Sequence, residues 1–146
     1  MKKTVTFGLV FLFAAILIAS TTWAAECTGC TPGYWKQAHH FGNWLPDYNP
    51  YNSTVLGEFG CGPDMLLLDA LKAKGGGENA LLRHATAALL NNGNIYVTYF
   101  DGELAALKQI FCEAMEFPFD YESAKDIFAD RNEEYYCPLK KAEWPQ

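Results

Sequence analysis

Residues 26–62 are broken too often to hold a regular element of any length. Pro32, Pro46, Pro50 and Pro63 interrupt or bound the stretch, and Gly29, Gly33, Gly42, Gly57, Gly60 and Gly62 fall between them. Proline removes a backbone donor and glycine loosens the chain, so neither a helix nor a strand can run far here. Yet the same stretch carries Tyr34, Trp35, Phe41, Trp44, Tyr48, Tyr51 and Phe59. Rings of that size contribute to stability only where they are buried. An aperiodic segment has no matching face of its own, so it must lie packed across another part of the chain.

The rest of the chain offers helices to receive it. Asp64 is a candidate cap for a helix to about Lys74, with Leu67, Ala70 and Leu71 on one face and Gly75-Gly76-Gly77 as its end. Glu78 to Asn91 is the clearest element: Leu81, Leu82, Ala85, Ala88 and Leu89 recur at helical spacing, and Asn92-Gly93 supplies a stop. Ile95 to Phe100 is β-branched and aromatic, which predicts a short strand or an extended connector. Asp101 then caps a helix to about Glu116 with Leu104, Leu107, Lys108 and Phe111 on one stripe, and Pro118 breaks it. Asp120 opens a last helix through Ala124, Ile127, Phe128 and Arg131 to about Tyr135. The predicted fold is mainly α: about four short helices with an irregular aromatic N-terminal arm, disulfide-braced. It forms one small domain over residues 26–146, with the arm at 26–62, the helical core at 63–137 and a tail at 138–146.

Residues 1–25 read as a leader that is removed. Lys2 and Lys3 precede an apolar run from Phe7 to Ala19, and small and polar residues lead to Ala24 and Ala25. That is the layout of a secretory signal peptide, and its apolar part is shorter than the roughly 20 residues a membrane span needs. Glu26 before Cys27 excludes a lipoprotein signal. Without Lys2 and Lys3 the chain has nine basic and seventeen acidic residues, a net charge near −8 with histidine neutral. Such a surface argues against nucleic acid as a partner. Once the leader is gone, no membrane association is expected either.

All five cysteines, Cys27, Cys30, Cys61, Cys112 and Cys137, lie beyond the leader. Outside the cytoplasm such cysteines usually pair, and an odd number leaves one free or bonded to another chain. Their spacing groups Cys27, Cys30 and Cys61 near the arm and leaves Cys112 and Cys137 as a late pair tying the last two helices. That loop of roughly 25 residues would contribute about 3 kcal/mol in the chain-entropy account. Spacing does not settle the connectivity.

The densest polar and aromatic cluster runs from Cys30 through Gly33, Tyr34, Trp35, Lys36, His39 and His40 to Trp44. Gly33-Tyr34-Trp35-Lys36, followed by histidine and tryptophan, resembles a motif near Gly-Tyr-Trp-Lys-Asn-His in uncharacterised secreted bacterial proteins. The likeness spans about residues 27–93 and takes in the Gly-rich break and the alanine-rich helix bearing His84. This chain departs from it with Gln37-Ala38 in place of Asn-His, an extra histidine and more cysteines. The resemblance implies an exported helical protein and brings no activity with it. In a bacterial setting the Asn52-Ser53-Thr54 sequon is simply a turn.

Chemistry has few footholds. Cys27-x-x-Cys30 with His39 and Cys61 has the residue types of a zinc site, but the second half lacks a matching knuckle. Thr31 after Cys30 excludes a c-type haem attachment, and no strand precedes the pair as in thiol–disulfide oxidoreductases. The conventional bases are His39, His40 and His84, and there is no Gly-x-Ser-x-Gly elbow. No catalytic set and no cofactor are therefore assigned. The leading expectation is a secreted, non-enzymatic structural or binding module whose partner is a protein or a surface. A small secreted hydrolase or metal-binding protein using the three histidines is the alternative, and a disulfide-linked homo-oligomer or fibre component, joined through the odd cysteine, is a third. Finally, the alanine-rich helix should receive the Gly33–Trp44 segment near His84, where short side chains leave room for the rings.

Overall fold

A computed structural model describes residues 28–44, 46–99, 104–117, 120–133, 136–143 and 145. The leader, Cys27, Asp101, Pro118 and Tyr135 lie outside the described residues. The protein is mainly helical and disulfide-braced. In chain order the elements are α1 (Pro32–Trp35), a 3₁₀ helix (Ala38–Trp44), α2 (Val55–Phe59), α3 (Leu67–Lys72), α4 (Glu78–Gly93), α5 (Leu104–Glu116) and α6 (Tyr121–Glu133).

The arm is thus not wholly irregular. Thr31 Oγ1 accepts from Tyr34 N–H at 3.3 Å and Pro32 opens the turn, which starts α1 as its sequence allows. Thr54 Oγ1 likewise accepts from Gly57 N–H at 3.0 Å to start α2. Gly60, with φ of 84°, ends α2 in the left-handed conformation that glycine adopts without strain. Residues 49–53 turn between these pieces, with Ser53 N–H bonded to Asn49 O at 3.0 Å and Asn52 exposed.

Helix α4 is the axis of the molecule. Ala80, Leu81, Leu82, Ala85, Thr86, Ala87, Ala88, Leu89, Leu90 and Asn91 are all buried, so it is enclosed rather than one-sided. A helix apolar on nearly every side belongs in the middle of a core. It packs most extensively on α6, then on α3 and α5, and receives α1 from the arm. The Gly75–Gly77 break before it is pinned from two sides. Arg83 Nη1 donates to Ala73 O at 2.6 Å and to Gly75 O at 2.9 Å, and Gly77 N–H donates to Glu122 Oε1 at 3.2 Å.

Two expectations need correction, the start of the first core helix and the late cysteine pair. The first core helix starts at Leu67, and Asp64 is exposed. The preceding residues instead pair with the arm: Val55 N–H donates to Met65 O at 2.8 Å and Leu67 N–H to Ser53 O at 2.9 Å. Of the two readings open for the Ile95–Phe100 stretch, residues 95–99 take the extended connector, tied by Thr28 N–H to Thr98 O at 2.7 Å and Thr98 N–H to Thr28 Oγ1 at 3.0 Å. As the second correction, Cys112 and Cys137 do not pair. The disulfides are Cys30–Cys137 and Cys61–Cys112. Folding brings the arm's start against the chain's end, and the end of α2 against α5, so each disulfide clamps the arm to the helical core. Both cross-links are long-range where the spacing suggested local ones.

Candidate functional site

The Trp35 ring is buried completely, and its contact with α4 is polar as well as apolar. Its Nε1–H donates to Asn91 Oδ1 at 3.0 Å. The same oxygen accepts from Cys30 N–H at 2.9 Å, while Asn91 Nδ2 donates to Cys30 O and to Asn132 Oδ1, both at 2.9 Å. Asn132, on α6, accepts also from Tyr99 Oη at 2.9 Å and donates through Nδ2 to His84 O at 2.9 Å. Arm, α4, connector and α6 therefore meet in one buried amide network beside the Cys30–Cys137 disulfide. Buried polar groups are tolerable only when satisfied, and Asn91 has both acceptances and both donations filled.

The arm docks on α4 with its indole N–H on Asn91, and Asn132 links that amide to the backbone carbonyl of His84. Seven residues separate Asn91 and His84, about two helical turns or roughly 10 Å along the axis. The indole N–H selects Asn91: a ring buried this fully needs an acceptor, and the alanines around His84 offer none. His84 faces α6. Its Nδ1 is closed off from solvent without a partner among the described residues. Burial, aided by Arg83 and Lys125, holds the imidazole below its usual pKa, while Glu133 and Asp126 act in the opposite sense.

The remaining motif residues form a second cluster under the tail. His40 stacks on Tyr34 with centroids 3.7 Å apart and planes at 22°, and the His39 ring lies 4.2 Å from it. Asn43 Nδ2 donates to Tyr34 Oη at 2.6 Å and to Lys140 O at 2.7 Å. Burial pushes the Tyr34 hydroxyl up to about 12, with the Asn43 contact opposing, so it stays a neutral donor at ordinary pH. Trp44 is buried and donates from Nε1 to Trp35 O at 3.2 Å, while Lys36 is exposed. Gly33 is exposed too, in the first turn of α1.

His39 and His40 thus sit with Tyr34 and the tail, and His84 sits with α6; the structure does not bring the three together. Cys30 and Cys61 belong to different disulfides, so the set Cys27, Cys30, His39 and Cys61 is not a set of thiolates, and Cys27 lies outside the described residues. Among the described residues no group of three or more His, Cys, Asp or Glu side chains is placed to hold a metal ion.

The residues that organise this region, Asn91, Asn132, Tyr99 and Asn43, were not singled out from the sequence. One signal was present: Asn132 continues Ala124 and Phe128 at four-residue spacing, a polar residue on a buried stripe. Comparison with protein-family models, curated proteins and solved structures finds no match for the chain.

Proposed function

We propose that the protein is a secreted, non-enzymatic binding or structural module of the cell exterior, with the turn carrying Ile95 and Tyr96 as part of its contact surface. The observation that carries this reading is the exposure of two large adjacent side chains on a turn with fixed ends. Ile95 is 83 % and Tyr96 73 % exposed. Around them Asn94 is buried, donating to Asn43 O at 2.8 Å and accepting from Tyr96 N–H at 3.0 Å. Val97 is buried, and Thr98 is tied to Thr28. Single exposed apolar residues are ordinary, but an aliphatic and an aromatic residue held outward by a pre-organised turn bind at low entropic cost. Tyr34, Asn91 and four cysteines support the same reading, since each is committed to the fold. The leader pattern, the disulfides and the likeness to exported bacterial proteins support secretion.

The test is retention of labelled protein on the producing cells. Saturable binding is expected for the parent and its loss for Ile95→Ser/Tyr96→Ser, with an unchanged melting temperature. The reading fails if nothing is retained, and the hydrolase alternative takes its place if ester, peptide or glycoside turnover appears and His84→Ala abolishes it.

A second reading is favoured by one observation. Four of the five cysteines pair within the chain, which leaves Cys27 for a bond to another copy. Assembly of that kind would present the Ile95–Tyr96 turn more than once per particle.

A further inference from the structure

Among the described residues after Cys137 there is no helix, and residues 140–142 run across the arm. Ala142 N–H donates to His39 O at 2.9 Å, and Gly42 N–H donates to Ala142 O at 2.6 Å. Tyr34 Oη and Asn43 Nδ2 both donate to Lys140 O, at 3.2 and 2.7 Å. The approach is close enough to require glycine: a Cβ on Gly42 would stand 2.7 Å from Ala142 O. Among the described residues of the tail Lys140, Lys141 and Glu143 are exposed, and Leu139 packs partly against the core. A segment held by hydrogen bonds with so little burial opens at low free energy.

What lies beneath it is His40. Its Nδ1 is shut off from solvent and has no partner among the described residues. Tyr34 faces the ring from α1, His39 from its own helix and Lys141 from the tail, whose other charges, Lys140 and Glu143, are exposed. Burial, His39 and Lys141 all hold this imidazole below its usual pKa, with no opposing carboxylate among the described residues.

We infer that residues 140–142 are an acid-released strap: protonation of His40 places a charge and an unsatisfied N–H beneath Lys141 and beside His39, and the strap detaches from His39 and Gly42. The Cys30–Cys137 disulfide keeps the chain anchored at Cys137, so opening is confined to the residues beyond it. Release uncovers the Tyr34 hydroxyl, the Asn43 amide and the His39 carbonyl, a polar face that is covered at neutral pH.

The test is amide hydrogen exchange on the disulfide-intact protein at about pH 7.5 and about pH 5, corrected for intrinsic rates. Protection at Gly42 and Ala142 is expected to fall about tenfold or more in acid, while the α4 amides from Leu81 to Leu90 change less than about twofold. His40→Phe keeps a ring on Tyr34 but takes up no proton, so both amides should stay protected. Lys141→Glu, an exposed change that leaves the packing alone, sets a carboxylate over the imidazolium and should preserve the strap in acid even if His40→Phe does not fold. Equal protection of the parent at both pH values overturns the proposal, as does a tenfold acid loss that persists in Lys141→Glu or in a folded His40→Phe.

Discussion

Asn91 uses all four hydrogen-bonding positions of its amide inside the protein, on Cys30 twice, Trp35 and Asn132. Truncating it therefore leaves a backbone donor, a backbone acceptor and an indole N–H without their partner in a buried site. Each orphaned group costs about 1–3 kcal/mol, and such networks lose more than pairwise sums suggest. Asn91→Ala should therefore destabilise by at least about 3 kcal/mol. Trp35→Phe keeps most of the ring and removes only the N–H; Asn91 Oδ1 still accepts from Cys30, so the loss should be about 1–2 kcal/mol. Trp35→Ala adds a cavity and should cost about 3–5 kcal/mol. Urea denaturation with the disulfides intact checks the order. A Trp35→Ala protein as stable as the parent would make the arm a loose surface, and Asn91→Ala costing under about 1 kcal/mol would remove the network from the account.

At the scale of elements, the pairing of α4 with α6 carries a pH dependence. His84 lies at that interface with its pKa below 6.5 in the folded chain, chiefly from burial. The unfolded chain then binds the proton more readily, so the stability this group contributes is full above about pH 6.5 and falls as pH drops towards the folded value. His84→Gln should flatten the decline in denaturation midpoint between about pH 7.5 and 5.5, above the ordinary carboxylate range. An unchanged slope in that variant would mean that the proton goes elsewhere. The tyrosines give the opposite limb. Tyr34 and Tyr48 are raised to about 12 by burial, so their contribution is complete below about pH 10 and is lost as pH climbs through the folded values. Elements of this kind were partly legible beforehand. The Leu81, Leu82, Ala85 and Leu89 spacing marked α4, and the ring-rich, proline-broken arm showed that it had to lean on a helix. Where it leans was hidden, because Asn91 reads as the last residue of a helix stopped by Asn92-Gly93, and only the docked indole reveals it as an acceptor. The late start of α3 was hidden for a similar reason: residues 65–67 exchange a capped first turn for hydrogen bonds to residues 53–55, a choice made by tertiary contact.

For the whole molecule the cross-links decide how far the chain can open. Cysteines near in sequence were the natural pairs to expect, yet the disulfides span separations of 107 and 51 residues, because folding returns the tail and α5 to the arm. Loops of that length remove unfolded-state entropy equivalent to about 5 and about 4 kcal/mol respectively. Cys30→Ala/Cys137→Ala should therefore lose about 5 kcal/mol and also free the tail, whereas Cys61→Ala/Cys112→Ala should lose about 4 kcal/mol and leave the tail hydrogen bonds in place. With both bonds closed, the protein from residue 26 onward has one thiol left to react. Alkylation without reductant should then add a single label to the monomer, at Cys27, and five labels after reduction. If chains join through that residue, a non-reducing gel shows a dimer that takes no label until reduced, and Cys27→Ser removes the dimer without moving the melting temperature, since Cys27 belongs to neither internal cross-link. A dimer that survives Cys27→Ser under non-reducing denaturing conditions would show that the internal pairs exchange between chains, and would end the odd-cysteine reading. Five labels on the unreduced protein would go further, removing both disulfides and with them the clamp that holds the arm to the helices.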